Sequence, residues 1–254
     1  MAAATAACGQ SANESSRPTG DERIDVVASF YPLAQVVERV GGDRVRVENL
    51  TPSGVEPHDL ELTPAQVDSI DDADFVVFLG GGFQPAVEKA VKRRGPAATD
   101  VSEGVGLVSG AAEALKAEEG GGDQAGEVAD GQAAAADPHF WLDPQLLAKT
   151  ISPVQDALTK AKPADSDEFR ANGAAMADEL AALDLRFREG LANCVRREVV
   201  TAHAAFYYLT ARYGLTQRPI TGLSPESEPD PGRLAELTDL IKSRGITTVF
   251  YEEL

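Results

Sequence analysis

Histidine is nearly missing from this chain: among 254 residues there are three, His58, His139 and His203. Cysteine is as scarce, with Cys8 and Cys194 alone. Two cysteines so far apart make neither a disulfide framework nor a CxxC metal site. Positive charge is short as well. The 23 Lys and Arg stand against 41 Asp and Glu, a formal charge of −18. A surface of that sign repels nucleic-acid phosphates and gains little from anionic lipid, which excludes nucleic acid as a partner class. It is compatible with cation binding, although acidic surfaces also arise for solubility alone. No run approaches the eighteen or so apolar residues of a membrane-spanning helix. The sequence also has no HExxH and no nucleophile elbow.

The start of the chain, "MAAATAACGQSANESSRPTGDE", places small residues before Cys8 and a Ser, Asn, Pro and Gly tether after it. This resembles the end of a bacterial lipoprotein signal, with Thr5 where Leu is usual. The charged and apolar regions of such a signal are missing. Either the start lies upstream and Cys8 carries lipid, or Cys8 is incidental. The first alternative implies an extracytoplasmic protein, anchored to the outer face of the bacterial cell membrane or periplasmic.

Residues 23 onward alternate strand and helix. "IDVVASF" (24–30) and "FVVFLGGG" (75–82) are apolar runs of the kind buried on both faces of parallel sheets, and "VRVENL" (45–50) is a third strand. "YPLAQVVERVGG" reads as a helix closing on glycine, and "QPAVEKAVKRRG" as another. Thr63, Pro64 and Gln66 read as a capping box with proline in the first turn. The rhythm breaks at the acidic Gly/Ala-rich loop 111–136. "PQLLAKTISPVQDAL" is helical but for Pro153. The longest helical pattern follows, with Asp165 and Glu168 as its expected capping box and Phe169, Gly173, Met176, Leu180, Leu183, Phe187 and Leu191 recurring every three or four residues. After it come the strands "REVVTAH", "RPITGL" and "ITTVFYEE", separated by the helices "AAFYYLTARYG" and "DPGRLAELTDLIKSRG". The rhythm stops at Leu254 without a closing helix, so the C-terminal end of the fold is expected to be missing.

His58 lies in the loop after strand 45–50, His139 in "DPHFWLDP" (137–144), and His203 at the end of "REVVTAH". Ligands of open α/β sheets bind outside the carboxyl ends of the strands. Dispersed ligands carry no spacing signature, so the residues alone leave open both a joint metal site and three unrelated side chains. Glu56 and Asp59 flank His58 and read as solvated loop charges.

The blocks "VVASFYPLAQVVERVGGDRVRVENLTPSGVEPHDLELTP", "DPHFWLDP", "VVTAHAAFYYLTARYGL" and "GLSPESEPDPGRLAELTDLIKSRGITTVFYEEL" resemble, in order and spacing, the signatures of the cluster A-I metal-binding proteins. These are the solute-binding components of zinc and manganese ABC importers. The resemblance implies two Rossmann-like α/β lobes joined by a long rigid helix, with a metal ion in the cleft between them. It divides the chain into a signal remnant and tether (1–22), an N-terminal lobe (23–164), a linking helix (165–193) and an incomplete C-terminal lobe (194–254). It makes His58, His139 and His203 the ligands and an importer permease in the cytoplasmic membrane the partner, with the protein acting as a monomer. Members of the manganese type carry Glu at the third position, so His203 implies Zn²⁺ rather than Mn²⁺. Imidazole suits zinc, whereas manganese takes more oxygen. The fourth ligand of the family, Asp or Glu, belongs to a later segment. A competing reading is a zinc-dependent hydrolase, since three histidines with an open fourth place also describe catalytic zinc. That chemistry needs a positioned general base and a substrate pocket, which the sequence does not display.

Overall fold

A computed structural model describes residues 23–95, 97–108 and 136–251. Cys8 with its tether, and nearly all of the acidic loop, lie outside the described residues. The first sheet contains β1 (Ile24–Ala28), β2 (Val45–Asn49), β3 (Phe75–Phe78) and β4 (Ala98–Asp100). All are parallel, in the order β2-β1-β3-β4. Strand alternation sends Val26, Ala28, Phe75 and Val77 to one core and Val27 and Val76 to another. The sheet is therefore covered on both sides, as a parallel sheet requires.

Helix α1 (Tyr31–Gly41) buries Leu33, Ala34, Val36, Val37 and Val40 against the first core. Helix α2 (Pro64–Asp72) begins with the expected capping box: Thr63 Oγ1 accepts from Gln66 N, and the Gln66 side chain accepts from Thr63 N. It covers the other face with α3 (Pro85–Arg94), and the short α4 (Ser102–Val105) follows β4. Helices α5 (Pro144–Ala148) and α6 (Ile151–Ala161) then lead into α7 (Ser166–Leu191). At 26 residues α7 is about 39 Å long. It buries Phe169, Gly173, Met176 and Leu180 against α1, α5 and α6. The second sheet is parallel too, ordered β6-β5-β7. Its strands are β5 (Glu198–Thr201), β6 (Thr216–Pro219) and β7 (Val249–Phe250), with α8 (Tyr207–Tyr213) and α9 (Pro231–Arg244) between them. Among the described residues no helix is long and apolar enough to cross a membrane.

Several elements differ from their expected bounds, each for a tertiary reason. Strand β3 ends at Phe78, because Gly81 and Gly82 turn the chain with φ of 87° and 89°. Strand β6 is Thr216–Pro219 rather than 218–223, since its register pairs Thr216 with Glu198 and Pro219 with Thr201. Strand β7 shrinks to two residues, the length over which β5 pairs with it. The helix break falls at Lys149–Thr150 and not at Pro153, which sits in the first turn of α6 where no backbone N–H is needed. The capping box of Asp165 and Glu168 does not form. Arg44 Nε takes Glu168 Oε2 at 3.0 Å and faces Asp165 Oδ2 at 3.7 Å, and Lys162 Nζ holds the same Asp165 oxygen at 3.2 Å. Asp165 ends the 3-10 turn Pro163–Asp165 with φ −99° and ψ 10°, not the extended backbone that an N-cap takes.

Gly173 lies where α6 approaches α7 closely. A Cβ there would lie 2.9 Å from Gln155 Oε1 and 3.1 Å from Ile151 Cγ2. Gly173→Leu gains about 1 kcal/mol of helix propensity but overpacks this contact at a cost of about 1–3 kcal/mol. Chemical denaturation is expected to show a net loss of stability. A stabilised variant would mean that the helices part easily.

Candidate metal centre

The three histidines converge. His58, His139 and His203 each offer a ring nitrogen, and these atoms lie within 4.8 Å of one another. Nε2 of His58 is 3.2 Å from Nε2 of His139. The His203 ring is centred 5.2 Å from that of His139 and 6.4 Å from that of His58. Two imidazole nitrogens on a tetrahedral zinc, each at about 2.0–2.1 Å, stand about 3.3 Å apart. The pair is thus already spaced for one ion.

Each histidine is delivered by a different device. His58 sits in a 3-10 turn, Pro57–Asp59, beyond the carboxyl end of β2. The buried Gln84 amide donates to Pro57 O at 3.1 Å and to Thr51 Oγ1 at 3.1 Å, while Thr51 Oγ1 donates to Ser29 O. These bonds tie the His58 loop to the strand ends behind it. His203 lies two residues past β5. Its carbonyl accepts from Thr201 Oγ1 at 2.8 Å, from Gln217 Nε2 at 2.9 Å and from Ala205 N at 2.9 Å. A Gln–Thr pair therefore holds a post-strand histidine in each sheet.

His139 begins the turn Phe140–Leu142 and is 3% exposed. Asp137, fully buried, accepts through Oδ1 from His139 N at 2.9 Å and contacts His139 Nδ1 at 2.8 Å. A carboxylate on Nδ1 holds the ring proton there and leaves the Nε2 lone pair for a metal. Asp137 is fixed in turn by Tyr208 of α8. Its hydroxyl donates to Asp137 O at 2.8 Å and accepts from Val108 N at 2.9 Å. Arg212 of α8 also pairs with the buried Asp143, which caps α5. The second sheet's first helix is thus pinned to the loop that carries His139.

Aromatic rings close one side of the centre. Phe83 meets His58 edge-on at 4.9 Å and Trp141 lies 5.2 Å from His139, with Phe30 packed against both Phe83 and Trp141. Burial holds the His58 imidazole far below its ordinary pKa, at about 3, and the neighbouring His139 and His203 push the same way. His58 is therefore a neutral imidazole at neutral pH, the form that metal binding demands.

One expectation is corrected here. Asp59 is exposed, but Glu56 is not a solvated loop charge: its side chain is 14% exposed. Glu56 Oε1 caps the turn by accepting from His58 N at 3.1 Å and lies 3.9 Å from His58 Nε2. Burial raises its carboxyl above the ordinary value, and the Asp59 and Glu226 charges add to the rise. Sequence reasoning also missed Asp137, Gln84, Gln217 and Tyr208. Only Asp137 had a local signal, its place two residues before a histidine.

Fold and site together define an α/β metal-binding protein that gathers imidazoles between two parallel sheets. Residues 26–254 match the family described as ZnuA, zinc-uptake complex component A, periplasmic, and the chain belongs to that family. The zinc-binding lipoprotein AdcA of Streptococcus pneumoniae serotype 4 is 35% identical over 94% of this chain and 47% of its own length. The chain thus spans about half of that relative. The high-affinity zinc uptake system protein ZnuA of Bacillus subtilis is 31% identical, over 98% of this chain and 77% of that protein. A crystal structure of Zn(II)-bound AdcA from Streptococcus pneumoniae superposes with a TM-score of 0.71 at 32% identity, covering 91% of this chain and 46% of the other.

Two outcomes are expected. Asp137→Asn loses the carboxylate that holds the His139 tautomer, and metal affinity falls about 10- to 100-fold by calorimetry. Unchanged affinity would show that Asp137 only shapes the loop. The second concerns the metal-free protein. The folded pKa of His58 is about 3 against an ordinary value of 6.5. Its contribution is complete above pH 6.5 and is lost as pH falls toward 3, because the unfolded chain then binds the extra proton. Urea midpoints of the wild type are expected to drop across that window, by at most about 1.4 kcal/mol per pH unit from this group. His58→Ala is expected to flatten that component. An identical slope in both proteins would refute a neutral, buried His58.

Proposed function

We propose that this chain captures Zn²⁺ outside the cytoplasm and delivers it to the membrane permease of an ABC importer. The observation that carries this is the convergence of three imidazoles from distant loops, with two ligand nitrogens 3.2 Å apart. Zinc is the cargo, and His58, His139 and His203 are its ligands. Membership of a zinc-uptake family supports binding and transport rather than catalysis. The ligand set supports zinc over manganese, because the three converging groups are all imidazole nitrogens, whereas manganese takes more oxygen. Residues 23–164 form one lobe, 165–193 the linking helix and 194–254 the second lobe, with the ion held between the lobes. All three ligands come from one chain, so a monomer suffices. Lipid on Cys8 would anchor the protein at the outer face of the membrane.

The test uses the chain's single tryptophan, Trp141, whose ring lies 5.2 Å from that of His139. Zinc is expected to change Trp141 emission with an endpoint at one ion per chain, and His139→Ala to abolish the change. Thermal unfolding is expected to shift strongly with zinc, about 4 kcal/mol at a thousandfold excess over Kd, and much less with manganese. Equal shifts with both ions would refute the zinc assignment.

A further inference from the structure

Phe30, Phe83 and Trp141 bound one part of the histidine cluster, and a second part of it, at His203, opens on a cavity that none of the three lines. The cavity measures about 330 Å³, and His203 is part of its wall. Glu56 lines it from the His58 turn, and Glu226 lines it from the loop 221–229. The base of that loop is fixed to the His203 segment by backbone bonds, Thr221 N to Ala202 O at 3.0 Å and Ala204 N to Gly222 O at 2.9 Å. Glu56 is thus held in the His58 turn, and the loop that carries Glu226 is tied at its base to the His203 segment. Glu56 Oε1, 3.9 Å from His58 Nε2, is held by the His58 N–H and lies outside the set of converging nitrogens.

We propose that Glu56 and Glu226 form the entry port of the site: they draw a hydrated divalent cation into this cavity and pass it inward to the imidazoles. The inference rests on the zinc-binding reading above and adds the route. Two carboxylates over a half-enclosed cavity focus the field on a cation and raise its local concentration, which speeds association. A hydrated ion keeps its water there and hydrogen-bonds to the carboxylates through it. Exchanging those waters for three imidazole nitrogens then completes capture with no change in the port itself. Glu226 is exposed, so salt screens its effect. A carboxylate that ligated the ion would instead slow its release.

The experiment is stopped-flow zinc binding to the full chain, with a fluorescent chelator as competitor for release. Glu226→Gln and Glu56→Gln keep side-chain size and an amide oxygen, so the Glu56 cap on His58 N can persist. Each is expected to lower the association rate about two- to five-fold at low salt, with the release rate unchanged. The gap is expected to close as ionic strength rises past about 0.15 M. Glu189→Gln removes an equal charge from α7, away from the cavity, and is expected to leave the rate alone. Unchanged association in both port variants, a loss confined to release, or an equal effect from Glu189→Gln would each overturn the port. A wild type that takes up no zinc would overturn the metal reading and the port with it; a wild type that binds zinc normally beside unaffected variants overturns the port alone.

Discussion

The whole arrangement depends on keeping three imidazole nitrogens within 4.8 Å of one another in a buried pocket. Such a cluster is unfavourable if any ring is charged, since burial and mutual repulsion both penalise protonation. The protein accepts that constraint at His58, whose pKa falls to about 3. A crowded nitrogen set with little freedom to relax is matched by a cation and by little else.

Holding the rings demands rigid loops, and the fold supplies rigidity from behind each one. Gln84 with Thr51, and Gln217 with Thr201, fasten the segments that follow β2 and β5. Both glutamines are about 1% exposed, so their bonds are shielded from competing water. Asp137 does the same for His139 and selects its tautomer. The sheet's carboxyl ends thus bring the three histidines together because buried amides and one carboxylate hold the loops that leave them.

Relative placement of the two sheets is the second requirement, since His58 and His139 precede α7 and His203 follows it. Helix α7 packs along α1, α5 and α6, so it is part of the first core and not a free hinge. Tyr208 and Arg212, both on α8, reach back to Asp137 and Asp143. Tyr213 adds a bond to Asp184 of α7 at 3.0 Å. His203 is thereby registered against the other two ligands before an ion arrives.

The order of strands and helices, the capping box of Thr63 and Gln66, and the buried stripe of α7 were all determined by the sequence alone. These depend on propensity and periodicity, which act over a few residues. The scarcity of histidine and the ordered blocks likewise marked His58, His139 and His203 as one set. Tertiary structure decided the rest. The ends of β6 and β7 were set by β5, and Glu168 pairs with Arg44 in place of its expected cap. Glu56 changed from a loop charge into a shielded carboxylate beside His58, and Asp137 became the partner that orients His139. Each of these outcomes depends on neighbours distant in the chain or on the burial they create, such as the 81 residues between His58 and His139. Local sequence carries no record of a distance that only folding closes.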